Sequence, residues 1–180
     1  MPIYRHYLPD DAESWLRCRA LSFLHSSYYD YVWTTRPESP QLRWVACEGD
    51  QIVGILDVEI AGCLATIDTV ATHPDRLGRG IASQLLARAI AELPSEVTTL
   101  DAWTRDDERA LAWYRARGFA ESDHYLHVHK EWDDPADGFS TPEGAWALVN
   151  AHFHAPLELE SEMRAKFKRV YVARRFAKEL

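Results

Sequence analysis

The sequence predicts an α/β (α+β) fold in which a mixed, mostly antiparallel, twisted sheet of about seven strands is flanked by helices. Two observations carry this prediction. Hydrophobic and polar residues alternate over 42–47, 51–60 and 66–72, and the short turns between these segments are typical of antiparallel strands. Residues 81–93 instead place apolar side chains at spacings of three and four, which is typical of a helix that packs one face on a sheet.

The N-terminal elements follow in chain order. A short strand is predicted at 3–8 and a helix from residue 12 to about residue 23. The aromatic stretch 24–33, which leads into the polar segment 34–40, either fills the core or forms a mobile wall over a small-molecule site. Pro94 ends the 81–93 helix, because proline cannot continue a helix.

The C-terminal half is predicted to contain three strands and two helices. The strands are expected at 97–103, 121–132 and 170–176, and the helices at 108–117 and 157–168. Asp106 or Asp107 would cap the first of these helices, and Gly118 would end it, because glycine readily adopts the left-handed conformation found just after helices.

Composition limits the classes of function. The 180 residues are enough for one domain with its own core, and no apolar segment is long enough to span a bilayer. The net charge of −8 makes a general nucleic-acid surface unfavourable. We therefore expect neither a nucleic-acid nor a membrane partner. Cys18, Cys47 and Cys63 are widely spaced and odd in number, which predicts buried thiols in a reducing cytoplasm rather than disulfides.

The most informative stretch runs from Thr66 to Leu93 and joins a strand, a glycine turn and a helix. Gly78 and Gly80 lack a Cβ atom, so the turn can adopt positive φ and let a ligand approach its N–H groups closely. The first N–H groups of the helix have no partner within it, and the helix dipole and Arg79 add positive potential. These features predict a site for a phosphate or pyrophosphate, with an ordinary tight turn as the alternative.

Two known nucleotide-binding motifs can be compared with this turn. A P-loop requires Gly-Lys-Ser/Thr after its glycines, and this sequence is absent. A Rossmann fingerprint requires a third glycine where Ser83 stands, although Asp101 lies at a suitable distance downstream. The P-loop is therefore excluded, and the Rossmann motif is matched only in part.

Two local motifs and the order of the elements point to a known family. Residues 73–86 (HPDRLGRGIASQLL) are similar to a pyrophosphate loop written Q/R-x-x-G-x-G/A, and residues 110–119 are similar to the motif A-x-x-F/W-Y-x-x-x-G-F. With the hairpin and bulged-strand arrangement ahead of the loop, they resemble the GNAT superfamily of acetyl-CoA-dependent N-acetyltransferases. The resemblance covers about residues 1–132. It implies one GNAT-like domain over 1–180, in which 133–180 form an atypical C-terminal extension that includes the final strand.

The resemblance implies a set of residues that bind acetyl-CoA as co-substrate. Backbone amides of the loop would hold the pyrophosphate, and the strand before it would pair with the pantetheine arm where two parallel strands part. The N–H of Val70 would also stabilise negative charge on the thioester oxygen. The implied cofactor-binding residues are Val70, Ala71, Thr72, Leu77, Gly78, Arg79, Gly80, Ile81, Ala82, Ser83, Asp107 and Tyr114.

Two of these residues depart from the family pattern. Leu77 stands where the family usually has Gln or Arg, so a side-chain contact to phosphate is lost there and Arg76 or Arg79 would have to replace it. Asp107 stands where the family often has Asn. The backbone of the loop, rather than its side chains, is therefore expected to bind the phosphates.

The implied reaction is direct attack of a neutral amine on the thioester. An alkylamine must first lose a proton, so a base is needed. Asp68 is the leading candidate, because it lies two residues before Val70 and shares its face if the strand is regular. Asp57 and Glu59 on the neighbouring strand are alternatives, and each of the three is also compatible with a solvated or paired strand carboxylate.

The resemblance places Tyr114 beside the departing sulfur. A phenol is a weaker acid than a thiol, so we expect a hydrogen bond that strengthens as the thiolate forms rather than protonation in advance. The alternative is a core aromatic residue with a polar tip. The acceptor would be a primary amine of a small molecule or a protein. A non-catalytic acyl-CoA sensor or structural module of the same fold is the other functional hypothesis. Tyr114 favours the enzyme, whereas Leu77 slightly favours the sensor.

The extension is the least familiar segment. About 35 residues between the last two predicted strands indicate an extended helical insertion that acts as a lid, a packing layer or an oligomer contact, such as a homodimer interface. His152 and His154 lie in it as candidate metal ligands, and His154 is also a candidate base. Isolated histidines are usually surface or core residues, so no metal is predicted.

Overall fold

Eight strands and four helices follow one another in the computed structural model, which describes residues 1–180. The strands are β1 (Ile3–His6), β2 (Leu42–Glu48), β3 (Gln51–Ala61), β4 (Leu64–Thr72), β5 (Thr99–Thr104), β6 (Ala120–Lys130), β7 (Ala151–Ala155) and β8 (Arg169–Glu179). The helices are α1 (Ala12–Phe23), α2 (Ile81–Glu92), α3 (Glu108–Arg115) and α4 (Glu160–Lys166). None of these helices is both long and apolar enough to cross a membrane.

The strands form one sheet in the order β1-β2-β3-β4-β5-β8-β6-β7. Strands β1 to β4 pair antiparallel with their neighbours, as do β6 and β7, whereas β4 and β5 pair in parallel. The predicted fold class, a mixed and mostly antiparallel sheet flanked by helices, is therefore confirmed, with eight strands instead of about seven. Four antiparallel strands ahead of the glycine turn do not fit the doubly wound parallel sheet that a Rossmann motif requires.

The chain divides into two compact units, one formed by residues 1–103 with 177–180 and the other by residues 104–176. In the first unit, buried residues of α1, β2, β3 and β4 form a core around Trp15, Val45 and Ile55. Helix α2 buries Ile81, Leu85, Leu86 and Ala89, four residues of its predicted apolar stripe. Its burial follows from the spacing of three and four, which places these side chains on one face.

One prediction about the cysteines is wrong. Cys18 and Cys47 are buried as expected, but Cys63 is exposed. It lies in the turn between β3 and β4, where Gly62 adopts a φ of 60°. A residue in a tight surface turn has no neighbouring layer to cover its side chain, so the thiol faces solvent.

The second unit corrects the predicted helical insertion. The expected helix at 157–168 is a 3₁₀ turn at Leu157–Leu159 followed by the seven-residue α4, and the same insertion contains a strand that was not predicted, β7. Aromatic and aliphatic side chains of the insertion pack on Leu126 and Val128 of β6. Within this unit the insertion is therefore a packing layer. That residues 1–180 form a single domain stays a prediction.

Candidate functional site

The glycine turn has the backbone conformation that an anion site requires. Gly78 and Gly80 have φ values of 75° and 73°, and Gly80 is the N-cap of α2. A Cβ atom at either position would meet no atom within 4 Å, so the turn is open to solvent rather than packed. No residue other than glycine has positive φ in this structure. The N–H groups of the turn and of the first turn of α2 therefore lie at an exposed surface with the positive end of the helix dipole.

Several contacts hold the turn in place. The N–H of His73 donates to the carbonyl of Val53 at 2.9 Å, and the guanidinium of Arg76 pairs with Glu48 at 2.7 Å. Gly54 lets α2 approach β3 closely, because a Cβ there would lie 2.4 Å from the side chain of Ile81. The turn is thus fixed at both ends, and one of the two arginines expected to replace the missing Gln or Arg is already used in an ion pair.

The side chains next to the glycines differ in accessibility. Leu77 is exposed, and so is Arg79. Ile81 is buried under the start of α2, whereas Ala82 and Ser83 are half-buried in its first turn. The apolar side chain of Leu77 has no group that can hydrogen-bond to phosphate, so only the backbone serves that purpose at this position.

Strands β4 and β5 part in the middle of their length. Their parallel register begins at Leu64↔Thr99 and stops at Ile67↔Ala102, although β4 continues to Thr72. Val70 and Thr72 are half-buried and Ala71 is buried in the part of β4 beyond this point. On the side of β4 that faces β5, residues 68–72 are therefore not paired with β5. The family resemblance implies a slot for the pantetheine arm at this place.

Strand β4 is not regular at Asp68, in keeping with the bulged strand that the resemblance implies. Thr69 pairs with Asp57 and Ile67 pairs with Val58, so Asp68 is an extra residue in a β-bulge. Buried and accessible residues nevertheless continue to alternate through the bulge, and Asp68 and Val70 both lie on the accessible side. The shared face that motivated Asp68 as the base is therefore retained.

Desolvation raises the pKa of the Asp68 carboxyl, and the nearby Glu59 adds to the rise, whereas a hydrogen bond from the Thr69 hydroxyl at 3.0 Å opposes it. The side chain of Asp68 is nevertheless exposed to solvent. A carboxylate that is accessible and has a raised pKa can accept a proton from a group outside the protein.

Asp57 has a different environment. It is fully buried, and its Oδ2 accepts a hydrogen bond from Nη2 of Arg36 at 2.7 Å. Its other oxygen is buried without a hydrogen-bond partner. Desolvation raises the pKa of Asp57 to about 6, against the attraction of Arg36, and Asp68 adds to the rise. Sequence reasoning found Asp57 but missed Arg36, which lies in the polar segment 34–40 with no local signal for this pairing.

The aromatic stretch 24–33 belongs to the same unit and is held in place by Arg19. The guanidinium of Arg19 lies 3.4 Å from the ring centroid of Trp33 and donates to the carbonyl of Tyr31 at 2.7 Å. Trp33 also stacks on the buried Trp15, with ring centroids 6.1 Å apart. Desolvation lowers the pKa of Arg19 to about 10, which leaves it charged at neutral pH. Trp33 thus packs on the core, as one of the two expected roles requires, whereas Tyr29 and Tyr31 are exposed. The mobile wall over a small-molecule site stays a prediction.

In the second unit, α3 has the capping predicted from the sequence. The carboxylate of Asp107 accepts a hydrogen bond from the N–H of Ala110 at 3.0 Å, and Gly118 ends the helix with a φ of 81°. Tyr114 is 4% exposed and its ring stacks on Phe176 at 5.5 Å and meets Phe119 edge-on at 5.4 Å. The ring of Tyr114 is thus a core element of this unit, and Asp107 has a structural role as an N-cap.

The second unit also brings four histidines together, of which the sequence had singled out only His152 and His154. His127 and His129 of β6 pair directly with His154 and His152 of β7. Desolvation, then Arg105 and the other imidazoles, lower the pKa of His127 to about 3. The repeated spacing His-x-His at 127–129 and 152–154 was the available signal, but only the pairing of β6 with β7 unites the two halves.

The comparisons with known proteins agree with the motifs. A model of the acetyltransferase (GNAT) family matches residues 2–119. A search of curated proteins gave no match. Among solved structures, the ribosomal-protein-S18-alanine N-acetyltransferase from Escherichia coli is similar with a TM-score of 0.62 and 15% sequence identity, over 99% of this chain and 94% of that chain.

Two further structures were solved with ligands. NAA60 from Arabidopsis thaliana, in complex with a bisubstrate analogue, has a TM-score of 0.62 at 13% identity, over 99% of this chain and 98% of that chain. The PaiA N-acetyltransferase from Thermoplasma acidophilum, in complex with coenzyme A, has a TM-score of 0.59 at 13% identity, over 68% and 92%. Identities this low show a shared fold alone. The family match, however, includes both the glycine turn and α3, and the chain therefore belongs to the GNAT family of acetyltransferases.

Proposed function

We propose that this protein is an acetyl-CoA-dependent N-acetyltransferase that transfers the acetyl group to a primary amine of a small molecule or a protein by direct attack. The observation that carries the proposal is the parting of β4 from β5 after Ile67, directly ahead of an exposed turn with two left-handed glycines. A free strand edge suits the amides of a pantetheine arm, and the turn suits a pyrophosphate. The family and the coenzyme A bound by the Thermoplasma protein support the choice of ligand.

The residues assigned to acetyl-CoA follow from this arrangement. We assign the pyrophosphate to backbone amides of the turn and of the first turn of α2, from Gly78 to Ser83. The edge of β4 from Val70 to Thr72 would pair with the pantetheine arm. Asp107 is left as a helix cap whose carboxylate is already engaged. Because these are main-chain contacts, the site would tolerate Leu77.

The reaction forms one bond and breaks another at the thioester carbon. The amine nitrogen attacks this carbon, the oxygen takes up negative charge, and the C–S bond then breaks to release the CoA thiolate. In our assignment the N–H of Val70 donates to the oxygen, and Asp68 takes the proton that the amine loses. Asp68 is accessible and has a raised pKa, and both properties support this role. Asp57 is less suitable, because it is buried and paired with Arg36.

Tyr114 is assigned to the leaving group on the strength of its motif. A hydrogen bond from its hydroxyl that strengthens as charge grows on sulfur would stabilise the thiolate. The burial of its ring among Phe119 and Phe176 holds the side chain in one rotamer, which suits a fixed donor. The same burial also favours the alternative function, an acyl-CoA sensor or structural module in which Tyr114 only packs.

A thiol-release assay distinguishes the two functions. Purified protein is incubated with acetyl-CoA and a panel of primary amines, which includes polyamines, amino acids and peptides with free N-termini, and free CoA thiol is measured. We expect amine-dependent release with at least one class of acceptor, together with saturable CoA binding by calorimetry. Binding of CoA without amine-dependent release would support the sensor, and absence of CoA binding would overturn both proposals.

A further inference from the structure

Four imidazoles lie on one face of the β6–β7 pair, opposite the face that carries the core residues Leu126 and Val128. Residues two apart on a strand share a face, and directly paired residues of antiparallel strands are close neighbours. His127 therefore lies opposite His154 with ring centroids 4.4 Å apart, and His129 lies opposite His152 at 4.8 Å. The register of β6 with β7 therefore brings the four imidazoles into one cluster.

Three of these rings have nitrogen atoms that lie close together. One ring nitrogen each from His127, His152 and His154 lie within 4.8 Å of one another. The Nδ1 atom of His127 and the Nε2 atom of His152 are 3.2 Å apart. Two nitrogens bound at about 2.0–2.1 Å to a tetrahedral zinc ion are separated by about 3.3 Å. This pair is thus already spaced as two metal ligands, and the third nitrogen is within reach of a small side-chain rotation.

Tyr125 provides the support that a metal-bound imidazole usually has. Its hydroxyl lies 3.1 Å from Nε2 of His127, so this nitrogen can carry the proton and donate to the tyrosine oxygen. The lone pair then lies on Nδ1, the nitrogen that faces His152. Histidine ligands commonly donate their second N–H in this way, which fixes the tautomer and the orientation of the ring.

One neighbouring group opposes a cation. Nη2 of Arg105 lies 3.1 Å from Nδ1 of His127, and its guanidinium also lies 5.1 Å from the ring centroid of Tyr171. A bound ion would have to displace this guanidinium, which belongs to a buried side chain, from Nδ1. Arg105 is therefore a competitor of the ion for the same lone pair.

The ligand set selects the class of ion. Three imidazoles without a carboxylate suit borderline transition metals and do not suit Mg²⁺ or Ca²⁺, which require oxygen ligands. His152 and His154 are exposed, so a fourth position on the ion would face solvent. We infer that His127, His152 and His154 form a binding site for a divalent transition-metal ion of the zinc class, with the fourth position open. This site differs from the sequence-based expectation of no metal and is independent of the proposed acetyl transfer.

The test titrates Zn²⁺ into the full-length protein by isothermal titration calorimetry at pH 7.5. We expect one ion per chain, and no heat of binding with Mg²⁺. His152→Gln removes a ligand at an exposed position, and it should weaken Zn²⁺ binding at least about 100-fold. Tyr125→Phe should weaken it about 10- to 100-fold, because it removes only the partner of a ligand. His124 is an exposed histidine of β6 outside the three proposed ligands. His124→Gln is therefore the matched control and should bind Zn²⁺ as the wild type does.

Thermal unfolding gives a second readout, since the ion would link β6 to β7 in the folded state only. At a Zn²⁺ concentration 100 times the wild-type dissociation constant, the wild type should gain roughly 5–10 °C in Tm and His152→Gln no more than about 2 °C. Absence of saturable Zn²⁺ binding to the wild type would overturn the proposal. Equal affinity in the wild type and His152→Gln, or an equal loss in His124→Gln and His152→Gln, would also overturn it.

Discussion

The glycine turn and the carboxylates of β3 and β4 lie in the same compact unit, yet they are built in different ways. The turn is made of main chain: its conformation depends on two glycines with positive φ, and its polar groups are amides. The carboxylate region is made of side chains: Asp68 lies in a bulge, and Asp57 is buried against an arginine from a distant segment. Binding of CoA should therefore depend on backbone conformation, and turnover on a few ionisable atoms.

The largest effect on turnover is expected at Asp68, where a substitution should lower kcat without changing CoA binding. Asp68→Asn keeps the size of the side chain and an oxygen that can accept the hydrogen bond from Thr69, but the amide cannot take a proton. We expect kcat to fall by roughly 100- to 1,000-fold, with the dissociation constant of CoA changed less than about twofold. Steady-state thiol release and calorimetry with CoA measure the two quantities.

Glu59→Gln is the matched control for this substitution, since Glu59 lies nearby on β3 and is the other carboxylate that raises the pKa of Asp68. It should leave kcat within a few-fold of the wild type. A wild-type kcat in Asp68→Asn, or a large loss in Glu59→Gln instead, would move the base away from Asp68.

Asp57 predicts an effect on stability rather than on turnover. The pKa of its carboxyl is about 6 in the folded protein against 3.8 for an ordinary aspartate, so between about pH 4 and 6 the folded state binds more protons than the unfolded state. The free energy of unfolding of the wild type should therefore decrease as the pH rises through this window. Asp57→Asn removes this contribution, and relative to the wild type the variant should gain up to about 3 kcal/mol between pH 4 and pH 7.

Urea unfolding at several pH values measures this difference. Replacing the carboxyl group by an amide beside Arg36 also changes the stability by an amount that is the same at all pH values, so the change with pH is the informative quantity rather than the offset. Asp50→Asn, in the exposed turn after β2, is the control and should follow the wild-type pH profile. If the free energy of unfolding changed with pH in the same way in the wild type and in Asp57→Asn, burial would not raise the pKa of Asp57.

Tyr114→Phe asks whether a buried side chain takes part in the chemistry. The phenylalanine ring preserves the contacts with Phe119 and Phe176, so the variant should fold with little change in stability. Loss of a hydrogen bond to a developing thiolate should lower kcat by about 10- to 100-fold, with CoA binding unchanged. Tyr4→Phe, on β1, should have no effect on kcat. Wild-type turnover in Tyr114→Phe would leave this residue with a packing role only.

The contrast also explains which parts could be predicted from the sequence. The glycine turn, the Asp107 cap and Gly118 are signalled by neighbouring residues, because turn and cap conformations depend on local chemistry. The alternating strands and the stripe of α2 are signalled by periodicity. The family motifs lie in these locally determined segments, and the fold class was therefore predicted correctly.

Features that depend on contacts between distant residues could not be predicted. The family resemblance implies a bulged strand ahead of the loop, but the position of the bulge at Asp68 depends on how β4 pairs with β3. The ion pair of Asp57 depends on Arg36, 21 residues away in a segment without regular structure. Strand β7 has only five residues, two of them histidines, and it becomes recognisable through its pairing with β6. The cluster around His127 was missed for the same reason, since neither His-x-His pair is informative alone.

Gly80→Ala tests the backbone half of the comparison. An alanine at a φ of 73° costs about 1–2 kcal/mol, and the open space around the position means that this cost is conformational rather than steric. If the turn relaxes to relieve it, CoA should bind about tenfold more weakly. Gly62→Ala is a matched control, because Gly62 also has positive φ in open space but lies in the turn between β3 and β4. It should lose similar stability and keep wild-type CoA affinity, and equal CoA affinity in both variants would argue against the turn as the pyrophosphate site.

The smallest effect is expected at Leu77, where the family usually has Gln or Arg. Its side chain is 44% exposed and apolar, so Leu77→Ala removes no group that can contact a phosphate and should change CoA affinity less than about threefold. Leu77→Arg restores the family residue and should tighten binding by up to about tenfold if a guanidinium can reach the pyrophosphate from this position. Calorimetry with CoA measures both variants. A tenfold loss in Leu77→Ala would show that this side chain contributes directly, and the turn would then depend on side chains as the carboxylate region does.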